Sequence, residues 1–132
     1  MNKSNSNINL IKEFYFNFKN QNVKSYLNLI DDNIQWITME FMPNGGIHIG
    51  KVDVFEKYFP SMLANFEEFH AIADEYLDIE NDGVLVLGKY SIKSKKQIKG
   101  FVPFAHIYNI KNGKIHKFRQ YTDTAKIDKI LN

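Results

Sequence analysis

The residue with the greatest capacity for chemistry in this sequence is His106, which stands between Ala105 and Ile107 in an apolar segment. Imidazole is the side chain whose unperturbed pKa lies nearest neutrality, so a pocket histidine can serve as a general base or a hydrogen-bond donor. The alternative is a core histidine whose ring nitrogens bond to neighbouring groups. The sequence leaves both interpretations open.

Two charged residues near the end of the chain are the next candidates. Arg119 is the one arginine in a chain that otherwise uses lysine, which indicates a need for a planar, fork-shaped donor. We expect a carboxylate partner, Glu40, Glu75 or Asp123, in a structural ion pair more readily than a substrate contact. Asp123 precedes a short apolar-periodic segment and is predicted to cap a helix, with a catalytic role as the less favoured alternative.

Composition excludes several classes of protein. The chain has 132 residues, no cysteine and a formal charge of +2, which argues against thiolate metal sites, disulfides and a dedicated nucleic-acid binder. His48 and His116 lack metal-ligand spacing, and no phosphate-loop, dinucleotide or zinc-protease motif is present. We therefore expect no metal, cofactor, nucleic acid or membrane partner. No apolar run reaches the length of a membrane span or signal peptide, so a soluble cytoplasmic protein is expected.

The elements that must position these residues follow from hydrophobic periodicity, and they fit a single domain over residues 1–132. Residues 1–7 are polar and expected to fray, with Ser6 or Asn7 capping the first helix. Apolar residues then recur at helical spacing, at Ile8, Ile11, Phe14, Tyr15 and Phe18. A second short helix ends at Asp31-Asp32-Asn33, a third begins near Lys51, and Pro60 should interrupt or kink it.

Most of the remaining chain has the composition of strands, at 34–39, 69–79, 84–93, 98–110 and 114–122, before a short closing helix. Helices first and antiparallel strands afterwards predict an α+β domain. The pairing of the last two strands depends on their turn. A three-residue loop pairs His106 with Phe118 and Phe104 with Gln120, whereas a two-residue Asn112-Gly113 turn sets His106 opposite Arg119, with Tyr121 and Asp123 on the same face.

The order of these elements resembles the nuclear transport factor 2-like superfamily, and the ending GKIHKFRQYTDTA (113–125) resembles its SnoaL-like branch, which includes polyketide cyclases. The segments FKNQNVKSYLNLIDDNIQWI (18–37), HIGKVDVFEKYF (48–59) and FAHIYNIKNGKI (104–115) support the resemblance, which spans residues 8–131. It implies a cone-shaped, mostly antiparallel curved sheet with the N-terminal helices packed on its concave face.

The resemblance also implies a pocket between the sheet and the first helix. The histidine of the SnoaL-like cyclases corresponds to His106, but their catalytic aspartate corresponds to Gln120, which cannot exchange a proton at neutral pH. His106 is thus the candidate base or donor, and Gln120 would orient the substrate. The expected ligand-binding positions are Phe14, Trp36, Phe104 and Phe118 as walls, with Glu40 and Tyr90 as polar groups.

The resemblance therefore implies a SnoaL-like small-molecule pocket protein for a small apolar or amphipathic ligand. As an enzyme it would be a cofactor-independent isomerase, cyclase or hydratase acting on a mostly apolar carbonyl compound. The alternative is a non-catalytic ligand carrier or dimeric interaction module of the same fold. Because the sheet of such proteins has a face that the helices leave uncovered, we also expect a two-fold homodimer through that face.

Overall fold

The amphipathic first segment forms helix α1, Lys3–Lys19, followed by the short helix α2, Val23–Leu27. The computed structural model describes the backbone of residues 3–132 and the side chains from Ser6 onward. The predicted frayed tail is wrong for residues 3–7, because the helix already begins at Lys3, ahead of both proposed caps; residues 1 and 2 lie outside the described part. Asn7 is buried and its side-chain amide donates to the carboxylate of Asp82, so the start of α1 is held against a distant part of the chain.

Six strands form one curved, open sheet: β1 Ile30–Thr38, β2 Gly46–Ile49, β3 Glu68–Ile79, β4 Gly83–Lys93, β5 Lys99–Lys111 and β6 Lys114–Thr122. Their spatial order is β2-β1-β6-β5-β4-β3, with β1 parallel to β6 and every other pair antiparallel. The predicted α+β class is confirmed. The acidic segment Asp31-Asp32-Asn33, expected to end a helix, lies instead inside β1.

The third helical segment is a π-helix, Asp53–Tyr58, continued by helix α3, Phe59–Leu63. Pro60 stands at the start of α3, where a missing backbone N–H costs least. The chain changes its hydrogen-bond pattern there, as expected of an interruption at this proline. Helix α4, Thr124–Leu131, closes the chain. No helix in residues 3–132 is long and apolar enough to cross a membrane.

The β5–β6 hairpin resolves the two registers left open by the sequence. Asn112 and Gly113, both with positive φ, form a two-residue turn that pairs Lys111 with Lys114. A bulge then shifts the ladder by one residue, leaving His116 as the extra residue on β6. Neither predicted pairing is therefore correct. His106 lies opposite Gln120, and Phe104 lies opposite Thr122.

Alternation along β4, β5 and β6 separates an inner face, which packs against α1 and the π-helix, from an outer face away from the helices. On β5 the even-numbered residues from Val102 to Ile110 are buried, while the odd-numbered ones are half-buried or exposed. The inner face and the helices enclose a core rich in aromatic rings. His106 and Gln120 both belong to this inner face and are only 4% and 6% exposed.

Candidate functional site

Both ring nitrogens of His106 have tyrosine partners. The Nδ1 atom lies 2.6 Å from the hydroxyl of Tyr15 on α1, and Nε2 lies 2.6 Å from the hydroxyl of Tyr90 on β4. The imidazole thus joins the first helix to the sheet. The position of His106 in β5 directs its ring inward. Tyr15 lies on the inward side of the amphipathic helix, which brings its hydroxyl to the imidazole.

The two tyrosines extend this contact into a chain of hydrogen bonds. Tyr108 donates to the Tyr15 hydroxyl over 2.9 Å, and the Gln120 side-chain amide donates to the Tyr90 hydroxyl over 2.8 Å. The Gln120 carbonyl accepts from the backbone N–H of Met39, just after β1, over 3.3 Å. We call the chain Tyr108–Tyr15–His106–Tyr90–Gln120 the inner relay.

Burial makes the inner relay uncharged at neutral pH. Desolvation lowers the pKa of His106 from 6.5 to about 3, so the imidazole is neutral at neutral pH. Desolvation likewise raises the pKa of Tyr15, Tyr90 and Tyr108 well above the usual tyrosine range, although donation from Gln120 partly offsets the effect at Tyr90. The relay can donate and accept hydrogen bonds but does not readily hold a charge.

Aromatic rings surround the imidazole. Phe104 stacks on His106 with a centroid distance of 3.8 Å, and Phe118 meets its edge at 4.8 Å. Trp36 stacks in turn on Phe118 at 3.8 Å, and Phe14 lies 6.2 Å from Trp36. The four residues expected to form the walls therefore lie in one cluster around the polar chain.

Three of the candidates lie elsewhere. Glu40 is exposed in the loop after β1. Asp123 caps α4, because its carboxylate accepts from the backbone N–H of Lys126, as predicted for an N-cap. Arg119 is half-buried on the outer face opposite Ile107, and the part of the chain that the structure describes gives it no ion pair, so the carboxylate partner expected for it is wrong.

Sequence reasoning did not select Tyr15 and Tyr108 as site residues. A signal for both was present: Tyr15 falls on the apolar stripe of α1, and Tyr108 lies two residues from His106 and so shares its face. Within residues 6–132, histidine and acidic side chains form no group of three or more that could hold a metal ion.

Comparison with solved structures gives the fold a name. An NTF2-like protein of unknown function from Burkholderia pseudomallei superimposes with a TM-score of 0.88 over 96% of this chain and 98% of its own, at 19% identity. The chain has the nuclear transport factor 2-like fold. The architecture implied by the sequence resemblance is thereby confirmed.

Two further structures with the nuclear transport factor 2-like fold carry functional names. TerC, crystallised with polyporic acid, has a TM-score of 0.88 at 19% identity, over 96% of this chain and 98% of its own. A protein assigned as a SnoaL-like polyketide cyclase from Jannaschia has a TM-score of 0.84 at 10% identity, over 99% of this chain and 94% of its own. No protein-family model and no curated protein matches the sequence. Identities this low establish the shared fold alone.

Proposed function

We propose that this chain is a small-molecule pocket protein that holds a mostly apolar compound by one oxygen atom against the inner relay. The observation that carries the proposal is an uncharged chain of five polar side chains inside an aromatic interior. A few convergent polar groups among aromatic side chains are one feature of ligand pockets. TerC, which shares the fold, was crystallised with the small molecule polyporic acid, and this supports the choice of ligand class.

The chemistry that this relay supports is weak acid–base work without a cofactor. A histidine with a pKa of about 3 is a poor general base, so it does not suit a demanding abstraction of a proton from carbon. Hydrogen-bond donors aimed at a carbonyl oxygen do stabilise the charge that develops there during enolisation. As an enzyme, the protein would thus isomerise, cyclise or hydrate an already activated carbonyl compound, with Gln120 orienting the relay.

The second candidate is a non-catalytic ligand-binding or dimeric interaction module. The observation in its favour is that the tyrosines of this same chain occupy both nitrogens of His106. In that case the relay would serve to join α1 to the sheet. The two candidates differ in whether a bound compound changes the surroundings of His106.

We further propose that the protein is a two-fold homodimer through the outer face. One row of residues crosses all six strands there and is apolar except for its arginine; it consists of Leu77, Leu85, Ile107, Arg119, Ile37 and Ile47. Ile47 is 67% exposed, and Tyr121, two residues beyond Arg119 on β6, is 46% exposed. A continuous apolar face of this kind is typical of an interface.

The ligand proposal is tested by the ring NMR signals of His106 during titration with three related probes: fluorenone, a neutral ketone; fluorene, which lacks an acceptor; and fluorenecarboxylate, an anion. We expect fluorenone to shift the His106 signals while those of the exposed His70 stay in place. Native mass spectrometry of the purified protein adds a search for a copurified compound. No probe effect at His106 and no copurified compound would favour the interaction module.

The dimer proposal is tested by light scattering at micromolar concentration. A particle of twice the 15.5 kDa chain mass supports it, and a particle of the chain mass contradicts it. The substitution Ile47→Asp, placed at an exposed position of the outer row, should shift a dimer toward the monomer. The same change at Val23, which is 51% exposed on α2, is the matched control and should leave the mass unchanged.

A further inference from the structure

Two Asn-Gly pairs occur in the sequence, Asn44-Gly45 and Asn112-Gly113. Asparagine deamidates most readily before glycine, because glycine has no Cβ to hinder attack by its backbone nitrogen on the neighbouring side-chain carbonyl. Both asparagines lie in turns with positive φ, of 58° and 53°, and both are exposed. The two pairs nevertheless differ in the groups that surround them.

Hydrogen bonds hold the Asn44-Gly45 pair in place. The backbone N–H of Gly45, which contains the nitrogen that must react, donates to the carbonyl of Met42 over 2.9 Å. The side-chain oxygen of Asn44 accepts from the amide of Asn65 over 3.5 Å, and Nε2 of His48 lies 2.8 Å from the Asn44 backbone oxygen. A nitrogen whose proton is bonded to a carbonyl is not free to lose that proton or to turn toward the side chain, so this pair is protected while the loop stays folded.

The Asn112-Gly113 pair has none of these restraints. Neither the backbone N–H of Gly113 nor the side chain of Asn112 has a hydrogen-bond partner among the residues that the structure describes. Gly113 is exposed and has open space where a Cβ would stand, whereas Gly45 is packed against the carbonyl oxygens of Met39 and Glu40. The reacting nitrogen of Gly113 is thus accessible to water and to base.

We infer that Asn112 is a site of spontaneous deamidation and isomerisation, from which the fold protects Asn44. The Gly113 nitrogen loses its proton to base and bonds to Cγ of Asn112, and the side-chain amide leaves as ammonia, which gives a cyclic imide. One water molecule then opens the ring at either carbonyl. One opening leaves aspartate, and the other leaves isoaspartate, whose main chain passes through Cβ and Cγ. The sequence of steps consumes one water for each ammonia released and involves no change of oxidation state.

The place of Asn112 in the hairpin gives this modification a structural consequence. The two-residue turn pairs Lys111 with Lys114 and begins the ladder in which His106 lies opposite Gln120. Asp-Gly suits the same type of turn as Asn-Gly, so the aspartate product should keep the ladder. Isoaspartate adds a carbon to the main chain within the turn, and turn geometry sets the register of a hairpin. The isoaspartate form should therefore be the less stable one.

The first test follows both sites in the wild type at mildly alkaline pH, in the folded state and in urea. Peptide mass spectrometry detects the change from amide to carboxylate, and an isoaspartyl methyltransferase, used as a reagent, labels the isoaspartate product. Because at least one hydrogen bond must open before Asn44 reacts, it should react at least about 5-fold more slowly than Asn112 in the folded protein. In urea the two rates should become similar.

Two results of this first test would overturn the inference. One is a folded Asn44 that reacts as fast as Asn112. The other is an Asn112 that stays unchanged in the folded protein although it reacts in urea.

The second test uses the substitution Asn112→Gly, with Asn44→Gly as the matched control. Glycine adopts the positive φ of either turn and has no side chain to cyclise. After the same incubation Asn112→Gly should stay homogeneous, and Asn44→Gly should be modified at Asn112 at the rate of the wild type. Modification of Asn112→Gly at the rate of the wild type would place the reaction elsewhere and overturn the assignment.

The structural consequence is tested on the isoaspartate form, separated from incubated wild type by chromatography. We expect its Tm to be lower than that of the fresh protein, and the Tm of the aspartate form to be unchanged. An isoaspartate form with the Tm of the fresh protein would overturn the effect on the hairpin but leave the modification site standing.

Discussion

The two faces of the β5–β6 hairpin differ in the kind of polar group they contain and in its partners, although the residues of both faces alternate along the same strands. On the inner face, His106 and Gln120 are paired side by side and each has partners within the chain. On the outer face, Ile107 pairs with Arg119, whose guanidinium has no ion pair in the described residues. The interior uses uncharged groups that satisfy one another, and the exterior has a charge that water can still solvate.

This difference follows from the free-energy cost of burying each kind of polar group. An uncharged group enters the core at a modest cost when it finds hydrogen-bond partners, as the relay groups do. A guanidinium would cost far more there.

The largest difference between the two faces is expected when an aromatic ring is removed from the inner face. Trp36→Ala deletes the stacking partner of Phe118 and leaves a cavity, so we expect the free energy of unfolding to fall by about 3–5 kcal/mol. Phe101→Ala on the outer face, where the ring is 57% exposed, is the control and should cost less than about 1 kcal/mol. Urea unfolding at low protein concentration measures both. Equal losses would show that the faces do not differ in packing.

The next effect is the pH dependence contributed by His106. Its pKa is about 3 in the folded protein and 6.5 when unfolded, so between these values the unfolded chain binds more protons. The free energy of unfolding should therefore fall as the pH decreases through this window, by about 1.4 kcal/mol per pH unit from this group. His106→Gln should lose that component of the slope, and the exposed control His70→Gln should retain it. Identical slopes for the wild type and His106→Gln would contradict the neutral, buried imidazole.

A smaller effect, on the pKa of His106, is expected when a carboxylate is added to one face at a time. Gln120→Asp sets a carboxylate near the far side of the relay and should raise the pKa of His106 by about one unit or more, because the imidazolium gains an opposite charge. Gln35→Asp, at an exposed position of β1, is the matched control and should leave that pKa unchanged. An NMR titration of the histidine ring signals gives both values. A His106 already protonated at neutral pH in the wild type would contradict the starting point.

The smallest effect is expected on the outer face. Arg119→Met keeps a long apolar stem and removes a guanidinium that has no ion pair among the described residues, so the free energy of unfolding should change by less than about 0.5 kcal/mol. Urea unfolding of the monomer at low concentration measures it. A loss comparable to that of Trp36→Ala would mean that Arg119 supports the fold through contacts of its stem.

The fold was predictable from the sequence because most elements have strong periodicity and the last segment has a recognisable order of residues. The clustering of Phe14, Trp36, Phe104, Phe118, Tyr90, His106 and Gln120 was also expected. The register was not, because the two-residue turn sets His106 opposite Arg119 and the bulge at His116 then shifts the pairing by one more residue, to Gln120. No residue pattern in the sequence indicates that bulge. Tyr15 was missed because its role depends on where α1 crosses the sheet. The helical state of residues 3–7 was missed because it reflects tertiary contact such as that of Asn7 with Asp82.

The parallel pairing of β1 with β6 has a kinetic consequence. Strand β1 and the last strand are adjacent in the sheet although they are far apart in the chain; the hydrogen bond from Met39 to Gln120 spans 81 positions. Closing so large a loop costs chain entropy before any contact compensates it, whereas the β3–β4 and β4–β5 hairpins form locally. A ribosome must therefore release β6 before the interior around His106 can close, so nascent chains that still lack β6 have a meander of hairpins but no completed interior.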